Sequence, residues 1–311
     1  MKFNEMILGN NNVLVAVMKV EAKEAKNKKV YALLTLGDGT QTIEARMWEN
    51  PDNLPFQAGE VLDAVIEKSI YNEQESYLLK QWTPSNAAIA DLLPHAPIET
   101  KEAEELIFQT IAAMKDPVIK KLTKKLIDDN LEKFLTWTAA SGMHHNYFKG
   151  LLYHTYRMLQ SAQALAKVYP VNNDILFAAV ILHDLAKIKE YEMSEVGAIS
   201  VTPDCALYGH LVMGIEMINK AAVSCGFDPD TMENIRMLKH CILAHHGKLE
   251  YSSPVVPAMK EAMLLHEIDL IDARMWQFEN EETKLEPGTM SERVFGLDAR
   301  VYRADYNNIV M

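Results

Sequence analysis

The segment AAVILHDLAK, residues 178–187, ends an apolar run on two adjacent titratable side chains, His183 and Asp184. A carboxylate buried without a partner is very costly, so this position demands compensation. Other histidines share the setting: His154 inside GLLYHTYRML, His210 opening GHLVMGIEMI, and His245 and His246 closing CILAHHG. Asp269 lies inside LLHEIDLIDARM. Eight of the ten histidines fall between residues 144 and 246, and His266 is a ninth. A single histidine on an apolar helix face is ordinarily a hydrogen-bonded core residue. Five such settings together point elsewhere, because a buried divalent cation satisfies imidazoles and carboxylates at once. Imidazole nitrogen with carboxylate oxygen, and no thiolate, suits Mn, Fe, Zn, Co or Ni, and Mg less well. Structural zinc prefers cysteine, and Cys205, Cys225 and Cys241 show no ligand spacing, so the expected site is catalytic.

Two kinds of element must position these residues. From about Thr100 onward apolar residues recur at i, i+3, i+4 and i+7 through EAEELIFQTIAAM, PVIKKLTKKLIDDNLEKFL, GLLYHTYRMLQSAQALAKV, DILFAAVILHDLAK, GHLVMGIEMINKAAV, MENIRMLKHCILAHH and MKEAMLLHEIDLIDARM. Asp116-Pro117 and Asp228-Pro229 read as helix starts. Residues 11–83 read as strands instead: NVLVAVMKV, VYALLTL, TIEARMW, VLDAVIEKSIY and SYLLKQW. Gly37-Asp38-Gly39-Thr40 marks a hairpin between the second and third. Five short strands with a break after the third predict a small Greek-key barrel of the OB type. DLLPHAPI, residues 91–98, is the expected linker, and the acidic stretch from Glu279 onward reads as a loop-like tail.

The chain carries 43 Asp and Glu against 31 Lys and Arg, a net charge of −12, which excludes a protein coated with phosphate-binding lysines. It leaves room for a local groove that binds nucleic acid. KVEAKEAKNKK, with Lys26, Lys28 and Lys29 at its end, is such a local basic stretch. In the third strand Arg46 and Trp48 share the polar face, where an aromatic can stack on a base. The longest apolar run, residues 175–182, is too short to span a bilayer, and MKFNEMILGNNN has no apolar core of signal-peptide length. With three cysteines in no pairing pattern, a cytoplasmic protein without membrane partners is expected.

The ordered set H…HD…H…HH…D on successive helices resembles the HD-domain metal-dependent phosphohydrolase superfamily in its two-metal form. The spacings are 29 residues from His154 to His183, 27 to His210 and 35 to His245. A barrel ahead of this domain, with AASGMHHNYFKGLLYHTYRML, ILHDLAKIKEY, LKHCILAHHGKLEYSSPVVP, EAMLLHEIDLIDARM and FGLDAR, is similar to the YhaM-type 3′→5′ exoribonucleases of Gram-positive bacteria, a family also described as binding DNA. HDLAK stands where HDIGK is commoner, and KNKKVY lacks the usual glycine before the lysine. The resemblance implies one metal held by His154, His183, Asp184 and Asp269, and a second held by His210, His245 and His246 with Asp184 bridging. IDLID also offers Asp272 as the final ligand; Asp269 aligns with the superfamily's last aspartate. Two divalent transition-metal ions are expected, manganese foremost, with Fe, Co, Zn or Ni as alternatives. Lys187, three residues after Asp184, is a candidate phosphate ligand, and Arg157 a weaker one. His144 and His145 could contact substrate, and His266 could orient a ligand.

The expected architecture is therefore multidomain: an all-β OB-type barrel over 1–90, a linker with connecting helices over 91–140, an all-α HD phosphohydrolase domain over 141–280 and a tail over 281–311. The expected activity removes nucleoside monophosphates from the 3′ end of single-stranded RNA, with DNA as a further polymer. RNA preference and polarity come from the resemblance alone. The runner-up readings are an HD enzyme acting on a small nucleotide and a non-catalytic nucleic-acid-binding factor. Met-rich apolar faces permit a homo-oligomer without requiring one.

Overall fold

A computed structural model describes residues 1–25, 28–48, 54, 56–71, 74–93, 95–138, 148–193 and 199–306. The chain forms two compact units, one of residues 1–96 and 192–200 and one of 97–191 and 201–311.

The first unit is a closed barrel. Its strands are β1 (Gly9–Glu24), β2 (Val30–Gly37), β3 (Thr42–Met47), β4 (Val61–Tyr71) and β5 (Gln74–Pro84), in the order β1-β2-β3-β5-β4 closing on β1. That is the topology of an OB-type barrel. One long strand makes closure possible. β1 pairs with β4 through Gly9–Ala16 and with β2 through Ala16–Glu24, and an irregularity between Val17 and Lys19 bends it from one partner to the other. Alternation sets the faces: Ile43, Ala45 and Met47 point into the core, while Thr42, Glu44 and Arg46 are exposed.

The β2–β3 turn is held by Asp38, a fully buried carboxylate. It accepts from the backbone N of Phe3, from Thr40 N at 2.8 Å and Oγ1 at 2.7 Å, and from Gln41 N at 3.0 Å. Burial pushes this carboxyl up, but the hydrogen bonds, that from Phe3 first, outweigh burial and hold it below its usual range. Between β1 and β2, within KNKKVY, Lys28 takes a φ of 64°. That left-handed conformation costs a non-glycine residue about 1–2 kcal/mol.

The second unit is helical. Its helices are α1 (Thr100–Ala113), α2 (Pro117–Asp128), α3 (Leu131–Thr136), α4 (Gly150–Leu165), α5 (Asn173–Leu182), α6 (Lys187–Glu190), α7 (Pro203–Ser224), α8 (Glu233–Ala244) and α9 (Lys260–Glu282). Two short strands, β6 (Tyr191–Met193) and β7 (Ile199–Val201), most of whose residues belong to the first unit, pair with each other; in the second unit β8 (Met290–Val294) pairs with β9 (Ala299–Tyr302). From Ile175 onward α5 is apolar on all sides and packs into the core, which is what its composition requires. Asp116 caps α2 as expected, accepting from Val118 N and Ile119 N with Pro117 in the first turn.

Several elements differ from the sequence reading. PVIKKLTKKLIDDNLEKFL is two helices, separated at Asp129 and Asn130. α5 ends at Leu182, so HDLA forms a turn rather than a continuing helix. Asp228 accepts from Asp230 N and Thr231 Oγ1 and builds a turn, and α8 starts only at Glu233. The segment from Glu279 onward is not loop-like: α9 runs on to Glu282, and the β8–β9 hairpin follows.

Candidate metal centre

Each candidate ligand sits where its helix turns it inward. His183 is the residue that caps the C-terminal end of α5, with Asp184 next to it; His245 does the same for α8, with His246 next to it. His154 lies in the middle of α4, His210 in α7 and Asp269 in α9. Three groups bring their donor atoms within 4.8 Å of one another: His154, His183 and Asp269; His210, His245 and His246; and His183, Asp184 and His245 between them.

The outer nitrogens explain the orientation. Every one of the five Nδ1 atoms faces an oxygen: Asp272 Oδ2 for His154 at 2.7 Å, Val180 O for His183 at 2.8 Å, Glu190 Oε1 for His210 at 3.0 Å, Ile242 O for His245 at 2.8 Å and Tyr251 O for His246 at 2.9 Å. An Nδ1 that donates to such an acceptor leaves Nε2 as the free lone pair. All five Nε2 atoms are thus presented to one region.

That region is short of positive charge. His154 Nε2 and His183 Nε2 are 3.3 Å apart, and His154 Nε2 is 3.2 Å from Asp269 Oδ1. Two acceptor nitrogens at that distance need a proton or a metal ion between them. Asp184 Oδ2 lies 3.3 Å from His183 Nε2, and its Oδ1 lies 3.5 Å from His210 Nε2 and 3.8 Å from His245 Nε2. Asp184 Oδ1 and His210 Nε2 are buried with no hydrogen-bond partner among the described residues. Orphaned acceptors of this kind, aimed at one another, fit a divalent cation.

Comparison with known proteins agrees with the geometry. A family model described as "HD domain" matches residues 151–274. The 3′-5′ exoribonuclease YhaM of Bacillus velezensis is 35% identical over 285 residues, covering 89% of this chain and 89% of that protein. YhaM of Bacillus subtilis gives the same 35% over 285 residues. YhaM of a Geobacillus species is 34% identical over 309 residues, covering 96% of this chain and 94% of its own length. The chain belongs to the YhaM 3′-5′ exoribonuclease family. In this YhaM-family chain, an HD domain with its His and Asp clusters points to divalent-metal binding.

The electrostatics of the YhaM-type centre favour a cation. Burial pushes the Asp184 carboxyl up, but the Lys187 ammonium, His183 and His210 outweigh it and hold the group well below the usual range. Asp269 is likewise held low against burial, chiefly by its contact with His154. Burial opposes charge on His154, yet Asp269 and Asp272 push it up to about 10, so a proton and a metal ion would compete for this ring. Burial and the neighbouring imidazoles keep His245 and His246 low, and hence neutral and able to ligate. Burial raises Glu190, but its hydrogen bond from His210 brings it down to about 2, so it stands ionised behind that ring.

The remaining candidate residues fall in distinct places. Asp272 stands behind His154 and also takes Arg157 Nε at 2.6 Å, whereas Asp269 faces the Nε2 side of the same ring. Arg157 is further engaged with Glu279, Nη1 to Oε2 at 2.6 Å, so its guanidinium is committed within the protein. Lys187 is buried, with Nζ 2.7 Å from Asp184 Oδ2. His266 Nδ1 donates to the backbone O of His245 at 2.9 Å, and so acts on that ligand through the main chain. In the barrel, Trp48 is 43% exposed, its ring is 5.1 Å from that of Tyr31, and Lys29 Nζ is 5.6 Å from its centroid. Lys28 and Arg46 are exposed. Lys26, His144 and His145 lie outside the described residues.

Sequence reasoning missed Glu190 altogether. It follows Asp184 by six residues, across a turn and the short α6, and only the tertiary fold brings it to His210. The break in α7 did leave a signal: Thr202-Pro203, a cap and a first-turn proline, precedes Gly209 by one short helical stretch.

Proposed function

We infer that this chain is a divalent-metal-dependent 3′→5′ exoribonuclease that shortens single-stranded RNA to nucleoside monophosphates. The observation that carries the reading is the convergence of five imidazole Nε2 atoms with the buried Asp184 and the half-buried Asp269, each imidazole anchored from behind. The similarity to YhaM exoribonucleases over 89% of the chain supports RNA as the polymer and the 3′ end as the start.

His154, His183, Asp184 and Asp269 would hold one ion, and His210, His245 and His246 the other, with Asp184 shared; manganese is the proposed metal. When bound, such ions supply Lewis acidity toward water and toward a phosphodiester oxygen. The chain's own residues do the rest. Asp184 offers one carboxylate oxygen to each group, which fixes their separation. Lys187 lies against Asp184, with Nζ 2.7 Å from Oδ2, and is the proposed phosphate ligand. Asp272, clamped by Arg157, keeps the His154 ring from turning.

The proposed division of labour assigns single-strand holding to the barrel, where Trp48, Tyr31 and Lys29 combine an exposed ring face with a cation. Arg46 and Lys28 add positive charge on exposed positions. Stacking of this kind does not discriminate sugars, so single-stranded DNA is included among the polymers bound. A reducing cytoplasm is the proposed location, in keeping with three free thiols.

The test is a digest of a single-stranded RNA labelled at its 5′ end. We expect a ladder of progressively shorter labelled fragments, abolished by chelator and restored by Mn. Immediate release of a labelled mononucleotide would give the opposite polarity. An intact RNA together with rapid hydrolysis of a nucleoside triphosphate or a cyclic dinucleotide would instead support the small-nucleotide reading.

A further inference from the structure

The five imidazoles are anchored by two different means, and the place of each histidine along its helix dictates which. His183 and His245 stand at the C-terminal ends of α5 and α8, where the last carbonyls lack helical partners, so each Nδ1 takes the oxygen three residues back. His154 lies inside α4, where the carbonyls are committed to the helix, and the Asp272 carboxylate takes its Nδ1. His210 is placed differently again. Gly209, with φ 68° and ψ 172°, breaks α7 just before it, so His210 opens a new helical stretch. The uncommitted backbone groups at a helix start are N–H donors, which cannot receive an Nδ1 proton. A side-chain acceptor is needed, and Glu190 Oε1 supplies it at 3.0 Å.

Glu190 is itself held. It is buried, its N–H donates to Ala186 O at 3.1 Å, and its carbonyl accepts from Thr202 N at 3.0 Å. Cys205 Sγ donates to the same Oε1 from the other side, at 3.1 Å. An anionic acceptor behind an imidazole fixes ring rotation and tautomer and makes Nε2 a stronger donor to a metal. We propose that Glu190 is a positioning residue for His210, and that it sets the affinity for the ion held by His210, His245 and His246 while leaving the other ion's affinity unchanged. The inference rests on the two-ion reading above. It adds that the two ions answer to separate carboxylates: Asp272 on α9 for one, and Glu190 on α6 for the other.

Calorimetric titration of the metal-free full-length protein with Mn(II) separates the cases. The wild type should bind in two phases. Glu190→Ala should weaken one phase by roughly 10–100-fold, the usual cost of losing a partner behind a metal ligand, and leave the other in place. Glu190→Gln, whose amide oxygen still accepts from Nδ1, should lose less, a graded rescue that a merely structural role would not produce. If Glu190→Ala fails to fold, Glu190→Gln decides by the same selective weakening. A wild type with two phases and variants that keep both, or lose both equally, overturns the role of Glu190. A wild type with a single phase overturns instead the two-ion reading beneath it.

Discussion

Asp184→Asn is expected to abolish RNA hydrolysis while the protein stays folded. The change removes one negative charge and keeps nearly the same shape, and the amide oxygen can still accept from Lys187 Nζ, which lies 2.7 Å from Oδ2 in the wild type. α5, which delivers the residue, buries only apolar side chains, so its packing is untouched. Its two carboxylate oxygens, however, face both histidine groups. Loss of a partner behind a ligand typically costs roughly 10–100-fold, so loss of a shared ligand should cost more. Turnover on single-stranded RNA, bound metal and melting temperature should be measured on one sample. A core-histidine model predicts a modest loss of stability with activity following the folded fraction. Near-normal turnover in a folded variant would sink the shared-carboxylate mechanism.

Gly247→Ala should be the most damaging small substitution in the helical unit. Gly247 follows His245 and His246 with φ 78°, and a Cβ there would lie 2.3 Å from Cε1 and Nε2 of His266. The ring is buried and cannot simply swing away, because its Nδ1 is bonded to His245 O at 2.9 Å. Left-handed strain of about 1 kcal/mol adds to an overpacking cost of about 1–3 kcal/mol. At about 2–4 °C per kcal/mol for a domain of this size, the melting temperature should fall by roughly 5–15 °C. Metal binding by the His210, His245 and His246 group should fall with it. Gly226→Ala is the matched control: φ is 80°, but nothing lies within 4 Å of the added Cβ, so only the strain remains. If Gly247→Ala melts no lower than Gly226→Ala, His266 does not hold the His245 backbone as described.

The contrast between these two positions shows what could be read from the sequence. Strand faces and the buried α5 follow from local alternation and composition, and the barrel's five strands appear where the alternation puts them. The HD pair at the end of an apolar run was legible because a buried carboxylate announces a missing partner. What stands behind the ligands was not. His154 meets Asp272 across 118 residues and His210 meets Glu190 across 20, and neither separation carries a period. Asp269 and Asp272 could not be told apart from IDLID alone, because three residues of helix bring both to one side. The rotation of α9 separates them, turning Asp269 toward Nε2 of His154 and Asp272 toward Nδ1. The β8–β9 hairpin escaped for a simpler reason: its strands are of five and four residues and rich in charge, so their alternation is too brief to see.

The inward-facing imidazoles and carboxylates should together hold two divalent ions. Elemental analysis of the purified protein, after reconstitution with Mn and removal of loosely bound ions, measures this. About two transition-metal ions per folded chain are expected, ligated without sulfur, and lost together with RNA hydrolysis on chelation. A folded protein that takes up no metal and still shortens RNA would contradict a two-ion centre.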